Sequence, residues 1–138
     1  MAPELATTGS GIELAVAQAW APTLARVVLG LVLLWFGVHE LVQPSLWTGY
    51  VPLLGPTSKL VLVLVLFHGW VLSVLGVALI LGVAPRLAAA VSVLLLAEVV
   101  VSLTLTAGFS DIVARDFGVM GLALAVFAGH GQRLLLRD

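Results

Sequence analysis

Residues Lys59 to Val83 read KLVLVLVLFHGWVLSVLGVALILGV, and this stretch decides the fold class. After Lys59 it holds no Asp, Glu, Lys or Arg. It outruns the roughly 20 apolar residues that one helical crossing of a bilayer needs. The apolar residues are continuous and do not alternate with polar ones, which argues against a spanning β-barrel. Pro85 and Arg86 follow. Proline is favoured at the first position of a helix, so a tight turn here opens a third span that runs to about Thr106. AGFSDIVARD (107–116) is a polar loop, and a fourth span runs from Asp116 or Phe117 to near Gln132. Upstream, QPSLWTGYVPLLGPTSK (43–59) contains three prolines and forbids a continuous helix, while Trp47 and Tyr50 suit the headgroup belt. A first span runs from about Thr23 to Val42, stopped by Pro44. Before it, Ile12 to Trp20 repeats apolar residues at helical spacing and is ended by Pro22. It is too short to cross and reads as an interfacial helix.

The composition agrees. Of 138 residues 62% are hydrophobic and 9% charged, against roughly 45–50% and 25% in a soluble domain. A water-soluble fold of this size cannot hide that much apolar surface. The reading is therefore all-α: an integral-membrane, antiparallel four-helix bundle over residues 23–132, with an N-terminal tail and interfacial helix (1–22) and a cytoplasmic tail (133–138). Met1 to Gly11 lacks the basic start and apolar run of a signal peptide. A net charge of −1 leaves no footprint for nucleic acid. Absence of Cys removes thiol chemistry and Cys-ligated metals. Basic residues are counted on each side of the membrane. Arg26, Arg86, Arg133 and Arg137 on one side, against Lys59 and Arg115 on the other, place both termini in the cytoplasm.

In lipid, helices associate through close packing and polar contacts rather than through a hydrophobic drive. Small residues mark the faces expected to pack: Gly30 and Gly37 on the first span, Gly69, Ser73 and Gly76 on the second, Gly118 and Gly121 with Ala125 and Ala128 on the fourth. Ionisable groups inside apolar spans are costly and so are default functional candidates. Glu98, within LLLAEVVVSL, and His68, within LVLFHGWVL, fall at similar depths on the third and second spans. A His68–Glu98 hydrogen bond would offset the desolvation of both; alternatively Glu98 is protonated. His39 and Glu40, with Arg115 and Asp116, form a second grouping near the outer face. Arg26 and His130 form a third near the inner face, where ion pairs or snorkelling side chains are the plain structural reading. The three histidines do not converge at one depth, which disfavours haem, and none has zinc-motif spacing, so no metal site is expected.

The run Arg26-Val-Val-Leu-Gly-Leu-Val-Leu-Leu-Trp-Phe-Gly-Val-His-Glu-Leu, followed by Pro44 and Trp47, resembles the opening of the DoxX family of small four-span membrane proteins of bacteria and archaea. The likeness continues through Gly69 to Gly82 with Arg86, and more faintly through the fourth span. Where the family frequently has Lys after the second Gly, this chain has His39 and Glu40. The resemblance implies a prokaryotic cell membrane. It also implies a role beside quinone-linked redox enzymes, as a subunit of a respiratory or redox complex with larger membrane subunits as partners and no intrinsic cofactor. On that reading a quinone slot around Glu98, His68 and Trp70, with Phe67 and the Gly69 stripe, has Glu98 exchanging the proton and His68 bonding a carbonyl. A purely structural peripheral subunit is the alternative, and a proton or small-solute carrier a third.

Overall fold

The computed structural model describes residues 2–137, with side chains from Gly9 onward; Met1 and Asp138, at the ends of the two expected tails, lie outside the described residues. Four helices carry the chain: α1 (Ala2–Val42), α2 (Lys59–Leu81), α3 (Pro85–Ala107) and α4 (Asp111–Ala128). Two short 3-10 turns, Pro44–Leu46 and Thr48–Tyr50, fold the proline-rich link between α1 and α2. Ser58 caps α2 through its hydroxyl, which accepts from the Leu60 amide. At the other end Gly82 stops the helix in the left-handed conformation (φ 71°), the usual role of glycine there.

Three of the helices are long and apolar enough to cross a membrane: α1 over Gly9–Val42, α2 and α3. The fourth is shorter and carries Asp111, Arg115 and Asp116 in its first two turns. One core is shared by all four, drawn from Leu29 and Leu33, Leu72 and Leu79, Ala89 and Leu96, and Ala123 and Val126. The helices associate as two close pairs, α1 with α2 and α3 with α4, which meet along looser seams. The outward faces carry Trp35, Phe67, Trp70, Leu94 and Leu105, the surface expected of helices solvated by lipid tails.

Two sequence expectations are corrected. Pro22 does not end a separate interfacial helix: α1 runs through it without a break. A proline interior to a helix costs about 3 kcal/mol, but it removes only one backbone bond. Ala15, Ala17, Ala19, Ala21 and Ala25 around it are the strongest helix formers. The segment after α4 is not a free tail either. It folds back as a strap, with Ala84 N donating to Arg137 O (2.7 Å) and Leu136 N and Arg137 N to Gly82 O (both 3.1 Å).

Close glycine packing is present between α1 and α2 and absent on α4. A Cβ on Gly30 would lie 2.8 Å from Gly76 O, and one on Gly37 2.6 Å from Ser73 N, so α1 and α2 touch almost backbone to backbone. On α4, a Cβ at Gly118 or Gly121 meets nothing within 4 Å, and Ala125 and Ala128 are exposed with them. That stripe faces out because α4 turns Val113, Asp116, Ala123 and Val126 inward instead.

Candidate functional site: a carboxylate–histidine cleft

The close α1–α2 approach sets the chemistry of the site. A Cβ on Gly69 would stand 2.9 Å from Glu40 Cβ, so the last turn of α1 lies directly against α2 one residue beyond His68. Glu40 is thereby buried, 6% exposed, and its Oε2 sits 2.8 Å from His68 Nδ1. The other ring nitrogen, Nε2, is buried with no hydrogen-bond partner. Glu98 Oε2, reaching across from α3, is 4.0 Å from it. Glu98 is itself largely exposed (60%) and accepts a hydrogen bond from Ser102 Oγ at 2.8 Å.

His68 thus hydrogen-bonds Glu40, and meets Glu98 only at ion-pair distance. Counting depth from helix ends placed Glu40 at the outer rim and His68 well below it. The small residues Gly37, Gly69 and Ser73 let α1 slide past α2 at contact distance, and the two groups meet. Glu98 borders the same cleft but turns toward its open side, so the expectation of a carboxyl enclosed in the core is not met.

Around these groups lies a cleft of about 310 Å³, at the lower end of the roughly 300–1,000 Å³ of ligand pockets. Asp116 enters it from α4, 5% exposed, with Arg115 Nε donating to its Oδ1 at 2.9 Å. The Arg115 guanidinium lies over the Phe36 ring, 4.6 Å from its centre, within the range of a cation–π contact. The outer grouping and the His68–Glu98 pair are therefore one site, joined through Glu40 and Asp116.

Two aromatic residues assigned to the headgroup belt form part of its wall. Trp47 and Tyr50 line the cleft, their rings 6.3 Å apart. Trp47 also stands edge-on to Phe36 (6.0 Å) and His39 (5.7 Å). His39 touches the site only through that ring. Periodicity holds no signal for this, because the 3-10 turns at Pro44 and Thr48 redirect the link over the helix ends. Phe67 borders the cleft, whereas Trp70 is 62% exposed on the outer surface and takes no part. Trp70 lies three positions after Phe67, close to one helical turn, yet it does not border the cleft.

At the opposite end Arg26 and His130 do not pair. Arg26 is fully buried and donates to three carbonyls: Leu79 O at 2.6 Å, Arg133 O at 3.0 Å and Leu134 O at 3.1 Å. It is a structural tie between α1, the end of α2 and the strap, while His130 is exposed.

Chemically, the cleft offers one free imidazole nitrogen backed by a buried carboxylate, a second carboxylate at its mouth and a mostly apolar lining. Among the described residues no group of three or more His, Asp or Glu is placed to hold a metal ion. No family model, curated protein or solved structure matches the chain.

Proposed function

We propose that this protein is a DoxX-like, four-span membrane subunit of a redox complex in a prokaryotic cell membrane, and that its cleft receives the head of a quinol or quinone. The observation that carries the reading is His68. Its Nδ1 is tied to Glu40 at 2.8 Å, and its Nε2 is left free beside Glu98. With the Nδ1 proton donated to Glu40, Nε2 is an acceptor. One quinol hydroxyl gives it a proton, while the second hydroxyl's proton and the ring's two electrons pass to a partner's redox group. The imidazolium so formed is stabilised by carboxylates on both sides. Glu98, at the open edge, then takes the proton outward. In the reverse direction the same imidazolium hydrogen-bonds a quinone carbonyl. The apolar lining and Trp47 suit the ring. The α2–α3 seam, with Leu64 and Leu95 on either side, gives a lipid-dissolved molecule a way in. The core that α4 shares with α1 to α3 supports reading it as a fourth crossing.

Titrating the detergent-purified protein with decylubiquinone tests the idea, because Trp47 lies in the cleft. Saturable quenching of tryptophan emission is expected, lost in His68→Ala and retained in Trp70→Phe. Quenching that does not saturate, or that His68→Ala leaves unchanged, overturns the reading.

One observation favours the plainer role of a structural subunit. The stripe Gly118, Gly121, Ala125 and Ala128 on α4 is exposed with open space over both glycines. Small residues at such spacing are how membrane helices approach each other closely. A neighbouring subunit's helix packed there is compatible with the quinone reading. Gly121→Leu is then expected to leave this chain folded while releasing it from copurifying subunits.

A further inference from the structure

A second cavity, of about 620 Å³, lies at the other end of the molecule, between the α2–α3 turn and the strap after α4. Its polar lining includes Arg86, His130 and Gln132, and among the described residues no carboxylate borders it. Arg86 is exposed, with its guanidinium 5.9 Å from the centre of the Phe127 ring and no carboxylate partner among the described residues. The start of α3 forms one wall. Its cap residue, Ala84, has no side chain able to bond the first turn. The first helical bond runs from Ala88 N to Ala84 O, so the Arg86 and Leu87 amides have no helical partner. Uncapped amides and a helix dipole favour an anion; here they coincide with a cationic side chain at an open-mouthed hollow. The Gln132 Oε1 is buried without a partner, an acceptor that calls for a donor group on the same ligand.

The surroundings are those of a lipid headgroup region. Leu134 and Leu136 on the strap are exposed, about 70% each, in a run of three leucines flanked by Arg133 and Arg137. Trp20 lies under the Arg133 guanidinium at 5.3 Å. Exposed leucines flanked by arginines, with a tryptophan beside them, fit the membrane–water boundary.

We infer that this cavity binds an anionic phosphate group, with Arg86, His130 and the first amides of α3 on its oxygens and Gln132 accepting from a hydroxyl beside it. Phosphatidylglycerol has both features, and free inorganic phosphate has the same chemistry. The inference rests on the membrane setting and is independent of quinone binding.

Native mass spectrometry of the detergent-purified full chain tests it with phosphatidylglycerol, with phosphatidylcholine of the same acyl chains, and with inorganic phosphate. The expected result is retention of phosphatidylglycerol over phosphatidylcholine. Arg86→Gln should lower it about tenfold, the loss of one charge-assisted contact, and Arg86→Lys less. His130→Gln, at an exposed position, gives a second reading that does not depend on how Arg86→Gln folds. Lys59→Ala, exposed at the far end, should leave lipid retention unchanged. Inorganic phosphate that binds through Arg86 and displaces the lipid identifies the free anion as the source; phosphate without effect identifies the headgroup. Equal retention of the two lipids, or binding that neither Arg86→Gln nor His130→Gln weakens, overturns the assignment.

Discussion

Gly37 and Arg26 are the two positions where the identity of a single residue counts most. A Cβ on Gly37 would press within 2.5 Å of Ser73 Oγ and 2.7 Å of Gly69 O, and backbone cannot retreat as a flexible side chain can. Gly37→Ala is expected to destabilise the protein by about 1–3 kcal/mol, the range for overpacking. It should also pull Glu40 away from His68, so that thermal unfolding and quinone quenching weaken together. The matched control is Gly121→Ala, which meets open space and should stay within about 0.5 kcal/mol. Arg26 spreads its bonds over carbonyls of α2 and of the strap. A lysine presents its donors from one nitrogen and cannot span both. Arg26→Lys should therefore lose about 1.5–3 kcal/mol, the worth of a hydrogen bond to a charged group. A variant as stable as the parent on thermal unfolding would contradict the tie described here.

At the scale of elements, the strap and Arg26 form one unit. Cutting the chain after Gly131 removes the carbonyls of Arg133 and Leu134 from Arg26 and the amide of Arg133 from Thr23 Oγ1. A double-mutant cycle between that truncation and Arg26→Ala should be strongly non-additive, since each change removes the same contacts. Simple addition of the two losses would show that the strap acts separately. The strap is hidden in the sequence because a seven-residue segment, three leucines between two arginines, is too short to show periodicity. Its order comes from distant partners, namely Gly82, whose positive φ turns its carbonyl toward the strap, and the Arg26 guanidinium. Pro22 was misread for a related reason: one breaker was weighed alone, without the alanines on either side. The helices α2 and α3 were legible almost to the residue, because an unbroken apolar run bounded by Ser58, Gly82 and Pro85 admits little else.

For the molecule as a whole, the number and direction of crossings can be read with single cysteines, because the chain has none of its own. Four crossings put Thr57→Cys and Ser110→Cys on one side of the membrane, and Arg86→Cys and Gln132→Cys on the other. Labelling by a membrane-impermeant maleimide on intact cells should divide the four variants into those two pairs. If Ser110→Cys labels from the same side as Gln132→Cys, α4 does not cross. The candidate site was half legible at this scale. His68 and Glu98 stand out as ionisable groups in apolar surroundings, Glu40 and Asp116 as part of a grouping near the outer face, and all four border the cleft. Which of them meet depends on the stagger of α1 against α2. That offset is set by backbone contact at Gly37 and Gly69, a distance no hydropathy pattern encodes.

The same contact divides the cleft into one fixed jaw and one adjustable jaw. Glu40 and His68 ride on the hardest junction in the molecule, where neither backbone can advance or yield. Glu98 stands on the opposite bank, across the slackest. Any widening between the two helical pairs therefore lengthens the gap from His68 to Glu98 and leaves the grip of Glu40 on the ring untouched. On the proposed quinol reading, a proton handed to that ring would stay with Glu40 and His68 while its onward passage depended on the gap to Glu98.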